Sequence, residues 1–414
     1  MPTMTSSHHA ASRETTHEPV AVLGLGYVGL PTALALMDAG TAVTGIDASA
    51  SRLDAIRARD VDLLAHDHRR LEAALHLPNF RLTADAAALA EARTVLVCVP
   101  TPVDAGRRPD LGPLRAACEA VVARANPGQT IVLTSTSYVG TTRDLLVEPL
   151  RARGLEPGRD VFVAFSPERV DPGNAAHEQE SVPRVLGAVT PACAEAAATV
   201  LWRIATMLHR VSSPEAAELT KLQENTFRAV NIALANELDE ACHSFGLDPI
   251  EVTEAAATKP YGYMPFYPGA GVGGHCIPCD PHYLLAGGVD APLIERAMRS
   301  IHERPARVAE RAAELLGGDV GGRRVLVLGA AYKPGVRDVR EAPALEVISL
   351  LRERGADVRY HDPLVPELAG GLRSEPDPGG AEWDLVVVCT VHPDADSGWL
   401  AGCPLVLDTT RRAR

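Results

Sequence analysis

The sequence predicts an α/β protein with two parallel sheets, each wound with helices, joined by a long central helix and a helical middle domain. Three observations predict it. Short apolar runs alternate with helix-period stretches towards both ends of the chain. A glycine-rich turn separates the first run from the first helix, and no proline or glycine interrupts the stretch between Pro214 and Phe245. With 414 residues the chain is too long for one ordinary core. Its 46% hydrophobic and 4% aromatic content, dominated by Ala, Val and Leu, suits such sheets and excludes a disulfide-rich or fibrous class.

Residues 1–18 read as a disordered tail. Val20 to Leu23 makes a first strand that meets Gly24; a helix runs to Ala39, and Ala42 to Ile46 makes a second strand closed by Asp47. Thr94 to Val99, Thr130 to Leu133 and Val161 to Phe165 continue as buried parallel strands, so the first domain spans 19–205. The uninterrupted helix follows, with Leu219, Leu222, Val230, Ala233 and Ala241 as its apolar stripe. A Gly-, Pro- and Tyr-rich stretch, Lys259 to Tyr283, completes the core of a middle domain over 206–318. Strands restart at Arg324 to Gly329 and return at Val358 to Tyr360, Leu385 to Cys389 and Leu405 to Asp408, in a last domain over 319–414. The fold is thus α/β, with two Rossmann-like doubly wound domains around a helical middle.

A net charge of −13 argues against a nucleic-acid partner, which needs a basic surface. No apolar run approaches the roughly 20 residues that span a bilayer, and residues 1–18 lack a signal-peptide core, so no membrane partner and a cytoplasmic location are expected. The eight cysteines are scattered rather than spaced as a framework, which fits reduced thiols.

Gly24, Gly26 and Gly29 form G-x-G-x-x-G between strand and helix. The first glycine permits the turn, the second lets a pyrophosphate reach the helix amides, and the third allows close packing of helix on sheet. Asp47, about 20 residues on, would accept bonds from a ribose diol and repel a 2′-phosphate, so NAD is expected rather than NADP. The bland alternative is a tight turn without a ligand. A second constellation, G-V-G-G-H-C-I-P-C-D-P over Gly271 to Pro281, sets Cys276 among exposed backbone amides, which suits a nucleophile that forms an oxyanion beside it. Its alternatives are a zinc site, for which His275 and His282 are a poor second pair and no metal is expected, a C-x-x-C redox pair with Cys279, and a buried structural thiol. Lys221, Asn225 and Arg228, spaced i, i+4, i+7, share one side of the long helix; by itself that is ordinarily a solvated face.

Taken together these segments closely resemble the UDP-glucose/GDP-mannose dehydrogenase family. The matching motifs are G-L-G-Y-V-G-L (Gly24 to Leu30), V-P-T-P (Val99 to Pro102), S-T-S-Y-V-G-T-T (Ser135 to Thr142) and S-P-E-R (Ser166 to Arg169). A-E-L-T-K-L-Q-E-N (Ala217 to Asn225), the cysteine motif and Y-K-P-G-V-R-D-V-R (Tyr332 to Arg340) continue the match. The resemblance implies a UDP-sugar substrate oxidised at C6 to the uronate in two NAD-dependent steps, through a thioester on Cys276. It sets Lys221, Asn225 and Asp280 around the reacting carbon, with Asp280 or a water held by Thr136 and Glu168 as base. Tyr27, Val28, Asp47, Arg52, Pro100, Thr101 and Thr136 would line the NAD site with the glycines. Glu168, Arg169, Lys221, Asn225, Arg228, Tyr267, Gly271 and Gly273 would face the sugar nucleotide, and Lys333 and Arg340 would hold its diphosphate.

S-P-E-R-V-D-P-G-N (Ser166 to Asn174), with Pro172 where the UDP-glucose branch carries a second glutamate, resembles the branch acting on UDP-N-acetylglucosamine. UDP-N-acetylmannosamine and UDP-glucose are the alternatives. A homodimer or higher homo-oligomer about the long helix is implied, with Lys259 reaching a neighbour's site. Tyr138, His282 and His302 depart from the family pattern and bear on the shape of the sugar pocket. Competing readings are an alcohol dehydrogenase of one oxidation, in which Cys276 is structural, and a non-catalytic nucleotide-sugar-binding protein.

Overall fold

A computed structural model describes residues 18–104, 107–169, 179–274, 276–393, 395–411 and 413. Residues 1–17 of the expected tail, Val170 to Asn174 of the substrate motif, and His275 lie outside them. The first sheet has eight strands: β1 (Val20–Leu23), β2 (Val43–Ile46), β3 (Phe80–Thr83), β4 (Thr94–Val97), β5 (Thr130–Leu133), β6 (Phe162–Phe165), β7 (Arg184–Ala188) and β8 (Leu208–Val211). Their order is β3-β2-β1-β4-β5-β6-β7-β8. β1 to β6 run parallel, with Val20 in register with both Val43 and Thr94. β7 turns antiparallel to β6 and β8 runs parallel to β7, an extension the expected all-parallel sheet lacked. β3, β7 and β8 escaped the sequence because F-R-L-T, R-V-L-G-A and L-H-R-V are short and carry charges or a glycine; their strand character comes from the neighbour they pair with.

The second sheet contains β9 (Arg324–Leu328), β10 (Asp357–His361), β11 (Leu385–Val388) and β12 (Val406–Asp408), in the all-parallel order β10-β9-β11-β12. In each sheet the chain reverses its winding direction beside the first strand, between β1 and β4 and between β9 and β11. The loops leaving those strand ends therefore flank a crevice, where doubly wound sheets bind ligands.

Between the sheets the helix Pro214–Ser244 runs without interruption, opened by Ser213, whose hydroxyl accepts from Ala216 N. It packs on the helices Cys276–Ala286 and Pro292–Leu315. Ala229 and Ala233 meet Ala297, Met298 and Ile301, and the alanines let the helices approach closely. Leu219, read as part of the buried stripe, is 42% exposed instead. It lies two residues from buried Lys221 and so on the opposite side of the helix. Among the described residues no helix is long and apolar enough to cross a membrane.

Candidate active site

The glycines of the first crevice divide their work. Gly24 sits at φ +91°, and a Cβ there would stand 2.7 Å from the Cys98 carbonyl oxygen; one on Gly29 would stand 1.8 Å from the Gly24 oxygen. Both positions are filled by packing. A Cβ on Gly26 would meet nothing within 4 Å, so that residue faces open space above the loop. The helix Gly29–Asp38 behind it has no side-chain cap and no acidic residue in its first turn, which leaves its amide end to an anion. Asp47 at the end of β2 accepts from Leu25 N (2.8 Å) and Ser49 N (2.9 Å), and a carboxylate has acceptor capacity beyond two bonds for a ribose diol. Arg52 Nε donates to Leu25 O at 2.9 Å and braces the same turn. These residues fit a dinucleotide.

Beyond β4, Pro100 is exposed and Thr101 buried, with Thr101 hydrogen-bonded to the Tyr283 hydroxyl. Tyr283 belongs to the cysteine helix, so that helix is tied directly to the cofactor-side loop; the sequence reading had missed it. Cys276 opens this helix, where a glycine-rich loop was expected. Pro278 lies in the first turn, where a missing N–H costs nothing. Cys276 is exposed, while Cys279 is buried and its thiol is pushed up to about 12 by burial and by the charges of Asp280 and Glu341. Of the pair, Cys276 is the one open to solvent. Among the described residues no group of three or more His, Cys, Asp or Glu side chains could hold a metal ion.

Lys221 and Asn225 project from the long helix onto the cysteine helix. Asn225 Nδ2 donates to Asp280 Oδ2. Asp280 is 3% exposed; burial pushes its carboxyl up to about 6, against the opposing pull of the Lys221 ammonium and the Asn225 bond. Three expected residues thus meet, a carboxyl poised near neutrality, an ammonium and an amide, and the Cys276 thiol stands one helical turn before the carboxyl.

The alternative base is placed differently. Glu168 Oε2 receives the buried Arg184 guanidinium at 2.6 Å, and Oε1 accepts from Arg169 N at 2.8 Å. Arg184, at the start of β7, gave one signal in the sequence, a charge heading an apolar run. Arg169 bridges Glu224 (2.7 Å) and the Pro183 carbonyl, and so fastens this loop to the long helix. Thr136 is half-buried just beyond β5. Arg228 is exposed, further along the helix face, and Tyr267 is half-buried.

The second crevice closes over the same region. A Cβ on Gly273 would stand 2.6 Å from the Tyr332 side chain and one on Gly271 3.0 Å from Pro343, while Gly274 N donates to Arg340 O at 2.9 Å. The glycines therefore let the cysteine segment dock on the loop after β9. Lys333 is half-buried in that loop. Asp338 grips the Arg340 guanidinium at 2.6–3.0 Å, and the guanidinium stacks 4.3 Å from the Tyr27 ring of the first domain's glycine-rich loop. A separate cavity of about 170 Å³, lined by Asp239, Arg304, Arg311 and Arg411 among others, shares none of these residues.

Comparison with known proteins identifies the family. Sequence models of the UDP-glucose/GDP-mannose dehydrogenase family match residues 18–205 as the NAD binding domain, 215–303 as the central domain and 326–411 as the UDP binding domain. A UDP-N-acetyl-D-mannosamine dehydrogenase of Pyrococcus horikoshii is 35% identical over 91% of this chain and 90% of its own. A UDP-N-acetyl-D-glucosamine 6-dehydrogenase of Pseudomonas aeruginosa is 32% identical, over 91% and 90%. A solved UDP-D-ManNAc dehydrogenase structure from Pyrococcus horikoshii superposes with a TM-score of 0.88 at 32% identity, covering 96% of each chain. The chain belongs to the UDP-glucose/GDP-mannose dehydrogenase family of NAD-dependent nucleotide-sugar 6-dehydrogenases.

Proposed function

We propose that this protein oxidises the C6 alcohol of a UDP-N-acetylhexosamine to the carboxylate through a thioester on Cys276. The observation that carries the reading is the exposed Cys276 set one helical turn from buried Asp280, itself paired with Asn225 and Lys221. NAD supplies the hydride acceptor for both oxidations. Asp280 takes the alcohol proton in the first, and Cys276 adds to the resulting aldehyde to give a tetrahedral thiohemiacetal. Lys221 and Asn225 donate to its oxygen. Asp280, having passed its first proton to solvent, takes the hydroxyl proton as the second hydride leaves, which gives the thioester, and water releases the acid and restores the thiol. Glu168, already held by Arg184, orients the loop that carries it rather than acting as base.

The acetamido sugar is supported by the relatives named for UDP-N-acetylmannosamine and UDP-N-acetylglucosamine, and by Pro172 in place of a second glutamate. The Ser166 to Asn174 motif makes the gluco epimer the first substrate to test, followed by the manno epimer and UDP-glucose. Lys333 and Arg340 contact the UDP diphosphate. A second copy of the chain covers Leu219, Phe227, Leu234 and Leu238, which are 42–51% exposed along one helix. The reaction takes place in the cytoplasm, which suits the scattered thiols.

The test is the yield of NADH per sugar, about two for a thioester route and about one for a simple alcohol dehydrogenase. Cys276→Ala should bind NAD and UDP within about threefold of the parent while net oxidation drops by about 10³-fold or more. Undiminished turnover in that variant would overturn the mechanism.

A further inference from the structure

Asp362 stands in the second sheet where Asp47 stands in the first. Each follows the strand beside the one that leads into a left-handed glycine, Gly24 at φ +91° and Gly329 at φ +83°. A Cβ on either glycine would strike the carbonyl oxygen of a residue following the next strand, Cys98 or Thr390. The two acids nevertheless differ. Asp47 is half-buried, while Asp362 is 0% exposed and turned wholly inward. Its Oδ2 accepts from Ala330 N (2.8 Å), Ala331 N (2.9 Å) and His392 Nε2 (3.0 Å); Oδ1 accepts from Leu364 N (2.9 Å) and Val365 N (3.1 Å). No acceptor capacity remains for a ribose.

His392 completes the arrangement. It is 5% exposed, and Gly335 N donates to its Nδ1 at 3.1 Å, so a neutral ring carries its proton on Nε2, aimed at Asp362. Thr390 Oγ1 donates to Ala331 O at 2.8 Å. The backbone is thereby pinned at Ala330, Ala331 and Gly335, on both sides of Lys333. Holding a segment in its binding conformation before the ligand arrives removes an ordering cost from binding.

We propose that Asp362 and His392 are positioning residues for the nucleotide-sugar diphosphate: they replace ribose recognition in the second sheet with a clamp that presents Lys333. The proposal rests on the assignment of the UDP diphosphate to the Lys333 loop. UDP alone and NAD alone, measured by calorimetry on the full chain alongside steady-state kinetics, test both. His392→Ala should weaken UDP and raise the UDP-sugar KM about tenfold, with kcat and the NAD affinity within about twofold. His392→Asn, whose Oδ1 can take the Gly335 amide in place of Nδ1, should recover most of the UDP affinity; if the alanine variant fails to fold, the asparagine variant and Asp362→Asn decide, the first near parental UDP affinity and the second weakened. Lys333→Met serves as the control. If it leaves UDP affinity unchanged, the diphosphate assignment fails; if it weakens UDP while His392→Ala does not, the assignment stands and the clamp is overturned. A fall in kcat at unchanged KM, or equal losses of UDP and NAD affinity in His392→Ala, also overturns the clamp.

Discussion

Asp280 offers the most direct perturbation of the chemistry. Its carboxyl is raised from the ordinary 3.8 to about 6, chiefly by burial. A midpoint near 6 leaves about 99% of the group ionised at pH 8 and about 9% at pH 5, so a step that needs the carboxylate should lose about tenfold in kcat over that range. The sign for stability is the reverse of the usual carboxylate. The folded chain holds this proton more tightly than the unfolded chain, so stability falls as pH rises from about 4 to about 6, and the loss, about 3 kcal/mol at most, is complete above that window. Asp280→Asn should remove the acidic limb of the kcat profile and lower kcat by about 10²–10⁴-fold. Its stability relative to the parent should improve by up to about 3 kcal/mol between pH 4 and pH 8. NADH absorbance at saturating substrate from pH 5 to 9, with urea unfolding of both proteins at pH 4 and pH 8, measures this. A parent without a limb near pH 6, or an Asp280→Asn variant that keeps it, refutes the assignment of the base.

Two further perturbations separate binding from folding. Gly24→Ala places a Cβ against the Cys98 carbonyl at a left-handed φ, and should cost at least about 1–3 kcal/mol in urea unfolding. Gly26→Ala enters open space, so it should fold like the parent yet weaken NAD about tenfold or more by calorimetry, because the methyl occupies the pyrophosphate's approach. Arg184→Met strands the Glu168 carboxylate in a buried site and should destabilise by about 3–5 kcal/mol; adding Glu168→Gln should recover part of that loss, and a strictly additive double variant would contradict the pairing.

What the sequence determined by itself is local. The spacing of Gly24, Gly26 and Gly29, the acid ending β2, the proline-free run of the long helix and the four strands after Arg324 are set by steric and periodic rules acting over a few residues, and they appear where the text places them. Spacing alone read Lys221 and Asn225 as a solvated face, and only the family resemblance joined them to Cys276 and Asp280. Tertiary structure decided what depended on residues far apart in the chain. It bonded Asn225 to Asp280, 55 positions on, closed Arg184 onto Glu168, stacked Arg340 on Tyr27 and turned Asp362 toward His392. It also reversed β7, whose five residues hold no directional signal. The charge of a side chain is written in the sequence, but its partner and its desolvation exist only once distant segments pack, as they do around Asp280, Glu168 and Arg340.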